Sequence, residues 1–83
     1  MDFGEALKIL KKGGRVCRKG WNGKGMFLFL VSGASFDREA VPGEPFPELV
    51  LDTICVKTAQ DNIVMGWLAS QTDMLAEDWE EVV

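Results

Sequence analysis

The chain has 83 residues, 47% hydrophobic and 27% charged, which suits one folded domain over 1–83 and excludes a disordered tail. A net charge of −4 argues against a general DNA or RNA binder, whose backbone contacts need a broad basic surface. The absence of histidine removes the commonest general base and the commonest transition-metal ligand together.

Taken in chain order, the first element is a helix. Asp2 can cap it and Glu5 stands three residues on, the spacing of a capping box. Phe3, Ala6, Leu7 and Leu10 recur at helical spacing, while Lys8, Lys11 and Lys12 occupy the other face and Gly13-Gly14 ends the run. A short strand follows over 15–19, with Val16 and Cys17 on opposite faces, and then the loop GWNGKG. Asn22-Gly23 within it signals a hairpin to the next strand, residues 26–31. That second strand, MFLFLV, is apolar without alternation, so both of its faces need cover. One amphipathic helix covers one face, and a second copy of the chain is expected on the other. A core this small also favours self-association.

Residues 33–49 hold all three prolines, Pro42, Pro45 and Pro47, and show no periodicity, which predicts a long loop that is either functional or mobile. Strands are expected again over 51–57 and 63–68, joined by the polar turn TAQDN, with Trp67 near the end of the latter. Ser70 and Asp73 stand at capping-box spacing and open a short helix through Ala76, before a closing strand around Trp79 to Val82. The expected architecture is α+β: a small antiparallel sheet with one N-terminal helix, a short C-terminal helix, and homo-oligomeric association.

No apolar run approaches the roughly 18 residues of a membrane span, and the N-terminus lacks a signal-peptide layout. No membrane partner is expected, and the natural location is the cytoplasm. Cys17 and Cys55 lie in apolar surroundings without CxxC spacing, so both read as buried free thiols.

Charge is uneven along the chain. Residues 1–24 hold seven basic side chains against Asp2 and Glu5, whereas the remainder holds Arg38 and Lys57 against eleven acids. The basic segment leaves room for a small anion. Mutual neutralisation of the two halves, within the fold or between copies, explains the same pattern.

The chemistry of catalysis is poorly represented. Neither cysteine has an imidazole to activate it, no serine stands in a GxSxG context, and Glu77, Asp78, Glu80 and Glu81 lack the spacing of a calcium loop. No catalytic residue, metal or cofactor is assigned, and that acidic cluster reads as a solvated rim. Gly20, Gly23 and Gly25 give GxxGxG between two strands, which matches neither the dinucleotide fingerprint nor a Walker loop. An ordinary hairpin and a phosphate cradle both stand open for this stretch.

A second tryptophan segment, GWLASQTD, sets Trp67 before Ser70, Gln71, Thr72 and Asp73 at a helix start. An indole that stacks on a purine, hydroxyl and amide hydrogen-bonders, and free helix amides are the parts of a nucleotide pocket. A core tryptophan followed by a helix cap accounts for the same residues.

The order FGEALKxLKxG, then RKGWNGKGMFLFLV, then KTAxxxIVxxWLASQTDxLAxDW resembles the Thoeris anti-defense proteins of the second type, a small phage and prophage family. The resemblance spans the chain apart from the loop between Ser32 and Asp52. It implies a molecular sponge, a homotetramer that binds cyclic nucleotide second messengers of bacterial immunity and holds them uncleaved. Glycocyclic ADP-ribose isomers and cyclic di- or trinucleotides are the implied ligands. Carried onto this chain, it points to Phe3, Trp21, Asn22, Trp67, Ser70, Gln71, Thr72 and Asp73. Trp21 or Trp67 would stack on adenine, with Asn22, Ser70 and Thr72 bonding ribose or phosphate oxygens. Asp73 would take a ribose hydroxyl or base amino group, while Arg18, Lys19 and Lys24 would supply positive potential for a pyrophosphate. Trp79 reads as core. The loop around Arg38 to Val50 is shorter here than in many relatives, which bears on messenger preference. The rival reading is an interaction module that engages a host protein through the apolar strand and acidic rim.

Overall fold

The computed structural model describes every residue except 22, 44 and 46–48. Asn22 and Pro47, both singled out above, therefore lie outside the described residues. Helix α1 (Phe3–Lys11) leads into β1 (Arg15–Arg18) and β2 (Phe27–Val31). Two short 3-10 turns, Gly33–Ser35 and Arg38–Ala40, precede β3 (Thr53–Lys57), β4 (Ile63–Met65), α2 (Gln71–Leu75) and β5 (Trp79–Val82). The strands form one antiparallel sheet in the order β4-β3-β2-β1-β5. The α+β reading is correct, and the closing strand pairs with β1 on the sheet edge opposite β4.

Asp2 caps α1 by accepting the Glu5 N–H at 2.9 Å, which satisfies one of the orphan donors of the first turn. Among the described residues only this forward half of the expected capping box forms. The helix ends where predicted: Gly13 takes φ 89°, and the Gly14 N–H returns to the Ile9 carbonyl at 3.0 Å.

Ala6 and Leu10 of α1 are fully buried against Val16, Leu28, Val56 and Trp79, one residue from each of β1, β2, β3 and β5. The register explains why these meet, since Val16 pairs with Leu28 and Leu28 with Val56, which places all three on the helix side of the sheet. Burial of Leu28 alone contributes on the order of 2 kcal/mol.

Strand alternation turns Cys17, Phe27, Phe29 and Cys55 to the other face, which carries no helix. Phe27 and Phe29 touch there with centroids 6.0 Å apart, and the Arg15 guanidinium lies over Phe27 at 5.0 Å. A single chain thus leaves the second face of MFLFLV without a covering element among the described residues. Cys55 is buried, but Cys17 is only half-buried, with its Sγ 3.7 Å from a Glu80 carboxylate oxygen. The expectation of two buried thiols therefore fails at Cys17, whose side chain lies on the sheet face opposite α1, beside Glu80 of the edge strand β5. Burial and the nearby Glu80 charge push the Cys17 thiol above its ordinary value.

Two expected strands are shorter than their apolar runs. β4 stops at Met65 because Gly66, at φ 96°, turns the chain out of the sheet, so Trp67 follows the strand and does not belong to it. β3 begins at Thr53, opposite Val31 where β2 ends, and just ahead of it the Asp52 carboxylate accepts the Gly33 N–H at 2.9 Å. A Cβ on Gly33 would lie 1.8 Å from the Val50 carbonyl oxygen, so only glycine lets the two segments pass.

Candidate ligand-binding site

Four aromatic rings from four separate segments converge at one end of the molecule. Phe3 comes from the first turn of α1, Trp21 from the β1–β2 connection, Trp67 from the segment after β4, and Trp79 from the start of β5. Trp79 is the hub, with ring centroids 5.3 Å from Phe3, 5.5 Å from Trp21 and 6.1 Å from Trp67. Trp67 also lies 6.3 Å from both Phe3 and Trp21. The Trp–Trp contacts are edge-on, the arrangement favoured by ring quadrupoles. Trp79 is 2% exposed and its Nε1–H donates to the Asp73 carbonyl at 3.0 Å, so it is core, as expected. Phe3, Trp21 and Trp67 are half-buried and keep part of each ring at the surface.

Polar groups adjoin these rings. Helix α2 opens on a complete capping box: the Ser70 hydroxyl accepts the Asp73 N–H at 3.1 Å, and the Asp73 carboxylate accepts the Ser70 N–H at 3.1 Å. The Ser70 and Thr72 hydroxyls are 2.9 Å apart. The box occupies the Ser70 and Asp73 amides, so the anion-favouring amides anticipated at this helix start reduce to those of Gln71 and Thr72.

Arg18, at the end of β1, spans two carboxylates. Its Nη1 donates to Asp73 Oδ1 and its Nε to Asp78 Oδ1, each at 2.8 Å. Asp78 also accepts the Gly20 N–H at 3.0 Å, and its carbonyl accepts the Lys19 N–H at 3.1 Å. The hydrogen bond from Arg18 pulls the Asp78 carboxyl below its ordinary value. At Asp73 burial acts upward, but the bonds from Ser70 and Arg18 outweigh it and the carboxyl again sits low. The same partners, Asp78 first, raise Arg18.

The fold therefore brings Phe3, Arg18, Trp21, Trp67, Ser70, Thr72 and Asp73 into one neighbourhood. Lys19, Lys24 and Gln71 are exposed, with Lys24 in the β1–β2 connection between Gly23, near Ala59, and Gly25, bonded to Lys57, and Asn22 lies outside the described residues. Among the described residues, no group of three or more acidic or cysteine side chains is arranged to hold a metal ion, and no helix is long and apolar enough to cross a membrane.

A family model described as a Thoeris anti-defense 2-like domain matches residues 1–82. The chain belongs to the Thoeris anti-defense 2-like family. It is 49% identical over 84 residues to "Thoeris anti-defense 2" of Bacillus phage SP01, an alignment that covers 99% of this chain and 94% of that protein. Membership in this anti-defense family supports a phage anti-defense role.

For a Thoeris anti-defense 2-like protein, the residue the sequence reading misplaced is Asp78. Grouped above with a solvated acidic rim, it is bound to the hairpin between β1 and β2 and is only partly exposed. The available signal was its place directly before Trp79, in a dipeptide that the family resemblance includes. A separate concavity of about 480 Å³ lies on the helix-free face, bordered by Arg15, Cys17, Phe27, Lys57 and Glu80.

Proposed function

We propose that this protein binds cyclic nucleotide second messengers of bacterial immunity, glycocyclic ADP-ribose isomers or cyclic di- and trinucleotides, and sequesters them uncleaved. The observation that carries this reading is the convergence of three partly exposed rings, Phe3, Trp21 and Trp67, in the neighbourhood of the α2 cap with its Ser70 and Thr72 hydroxyls. An indole offers a purine a stacking face worth about 1–3 kcal/mol, and the hydroxyls offer ribose or phosphate oxygens a donor. Exposed Lys19 and Lys24 add positive potential for a pyrophosphate.

Sequestration fits the chemistry better than hydrolysis. The chain has no histidine, and the Asp73 and Asp78 carboxylates beside the rings are committed to Arg18 and held in their charged form. A homotetramer fits the helix-free sheet face, where Phe27 and Phe29 are flanked by Lys57 of β3 on one side and by Arg15 of β1 and Glu80 of β5 on the other. A two-fold partner can place like apolar surfaces together and opposite charges across from each other.

One exposed feature favours the rival interaction module. Edge strand β4 presents Ile63, Val64 and Met65 at 60%, 50% and 60% exposure. The discriminating experiment incubates pure protein with cyclic ADP-ribose isomers and cyclic oligonucleotides, removes the protein by filtration, and then heats it. Messenger depleted from the filtrate and released intact is the expected result. Release of a cleaved product would identify an enzyme, and no depletion with any messenger would leave the interaction module ahead.

A further inference from the structure

We propose that Asp78 and Arg18 are positioning residues for the aromatic site, and that Arg18 is a brace between segments, not a contact for the ligand's anion. This inference rests on the sponge reading for its consequence in binding, but its structural part stands separately. One guanidinium fork holds Asp73 on α2 and Asp78 ahead of β5, at 2.8 Å each. The second Asp78 oxygen holds the Gly20 amide at 3.0 Å, the Asp78 carbonyl holds the Lys19 amide at 3.1 Å, and the Trp21 N–H returns to the Arg18 carbonyl at 3.2 Å. Every one of these bonds fixes the chain immediately before Trp21. At the other end, Asp73 caps α2 through Ser70 and takes the Trp79 indole N–H on its carbonyl. The brace thus sets Trp21 relative to Trp67 and Trp79.

Electrostatics separates this role from an anion contact. Arg18 with Asp73 and Asp78 carries a net negative charge, and its donors toward both carboxylates are engaged. Two of its five N–H donors are engaged by these carboxylates, and a phosphate reaching the others would meet the net negative charge of the group.

Arg18→Lys and Asp78→Asn test the proposal. Lysine keeps the charge but, as a point donor, cannot hold both carboxylates in the fork geometry. Asparagine keeps the shape of Asp78 and frees Arg18 of a competing carboxylate. The readouts are near-ultraviolet circular dichroism of the ligand-free proteins and calorimetric titration with a glycocyclic ADP-ribose isomer at several salt concentrations. Both variants are expected to alter the indole bands while far-ultraviolet spectra stay native, and to weaken binding about tenfold or more. The slope of affinity against salt is expected to stay at the wild-type value in both, whereas Lys24→Gln lowers it.

Tighter binding by Asp78→Asn, retained affinity in Arg18→Lys, or unchanged indole bands would overturn the proposal. Should one variant fail to fold, the other still reports. If the wild-type protein binds no messenger, the sponge reading falls, and the indole bands alone decide whether Arg18 and Asp78 position the rings.

Discussion

At the scale of single residues, the three tryptophans divide their labour by exposure. Trp79 is sealed and hydrogen-bonded, so it supports, while Trp21 and Trp67 retain surface. Trp67→Ala is expected to weaken messenger binding by about tenfold or more, the equivalent of one base–indole stack. Calorimetry checks this, and an unchanged affinity would remove Trp67 from the site. The acid limb of stability belongs to Asp73 and Asp78. Both carboxyls sit below their ordinary value in the folded protein. Their contribution is therefore complete above the ordinary carboxylate range and is lost as pH falls through the depressed folded values. Arg18→Ala is expected to lower the unfolding temperature at neutral pH, with the difference from wild type shrinking as the pH drops below about 4. A difference that grows with acidification would contradict the assignment. These carboxylates were only partly legible in the sequence. Ser70 and Asp73 carry a local signal, because a cap needs a fixed spacing of three. The bond from Arg18 to Asp78 joins positions 60 apart and leaves no periodicity to read.

At the scale of elements, periodicity carried the most information where one face alone is buried. Helix α1 could be read from Phe3 to its glycine stop because its apolar stripe faces a single sheet. Strand ends were less legible, since composition does not reveal where the backbone leaves the ladder. The apolar run past Ile63 continues through Leu68, yet pairing stops at Met65, and Leu68 is 92% exposed. Asp52 likewise sits within an apolar run but anchors Gly33 from outside β3. Gly33→Ala is expected to destabilise the protein by several kcal/mol, because the new methyl would collide with backbone and not with a flexible side chain. Chemical denaturation measures this, and a loss below about 0.5 kcal/mol would mean that Gly33 does not pack against Val50 as described.

At the scale of the whole molecule, α1 packs on one side of the sheet, and among the described residues no helix packs on the other. Phe27, Phe29 and the flanking charges of Arg15, Lys57 and Glu80 make that side suited to a second copy. Phe29→Asp is expected to shift the protein toward a folded monomer in analytical ultracentrifugation, with far-ultraviolet circular dichroism retained. An assembly of wild-type mass would place the interface elsewhere. The expectation of assembly rests on six apolar residues without alternation in MFLFLV, because pairing between copies would leave no pattern in one chain. The measurement that tests the central claim most directly is native mass spectrometry of the wild-type protein with a glycocyclic ADP-ribose isomer. The account predicts an oligomer that carries messenger of unaltered mass. A ligand-free monomer at saturating messenger, or an oligomer that returns fragments of it, would contradict the account.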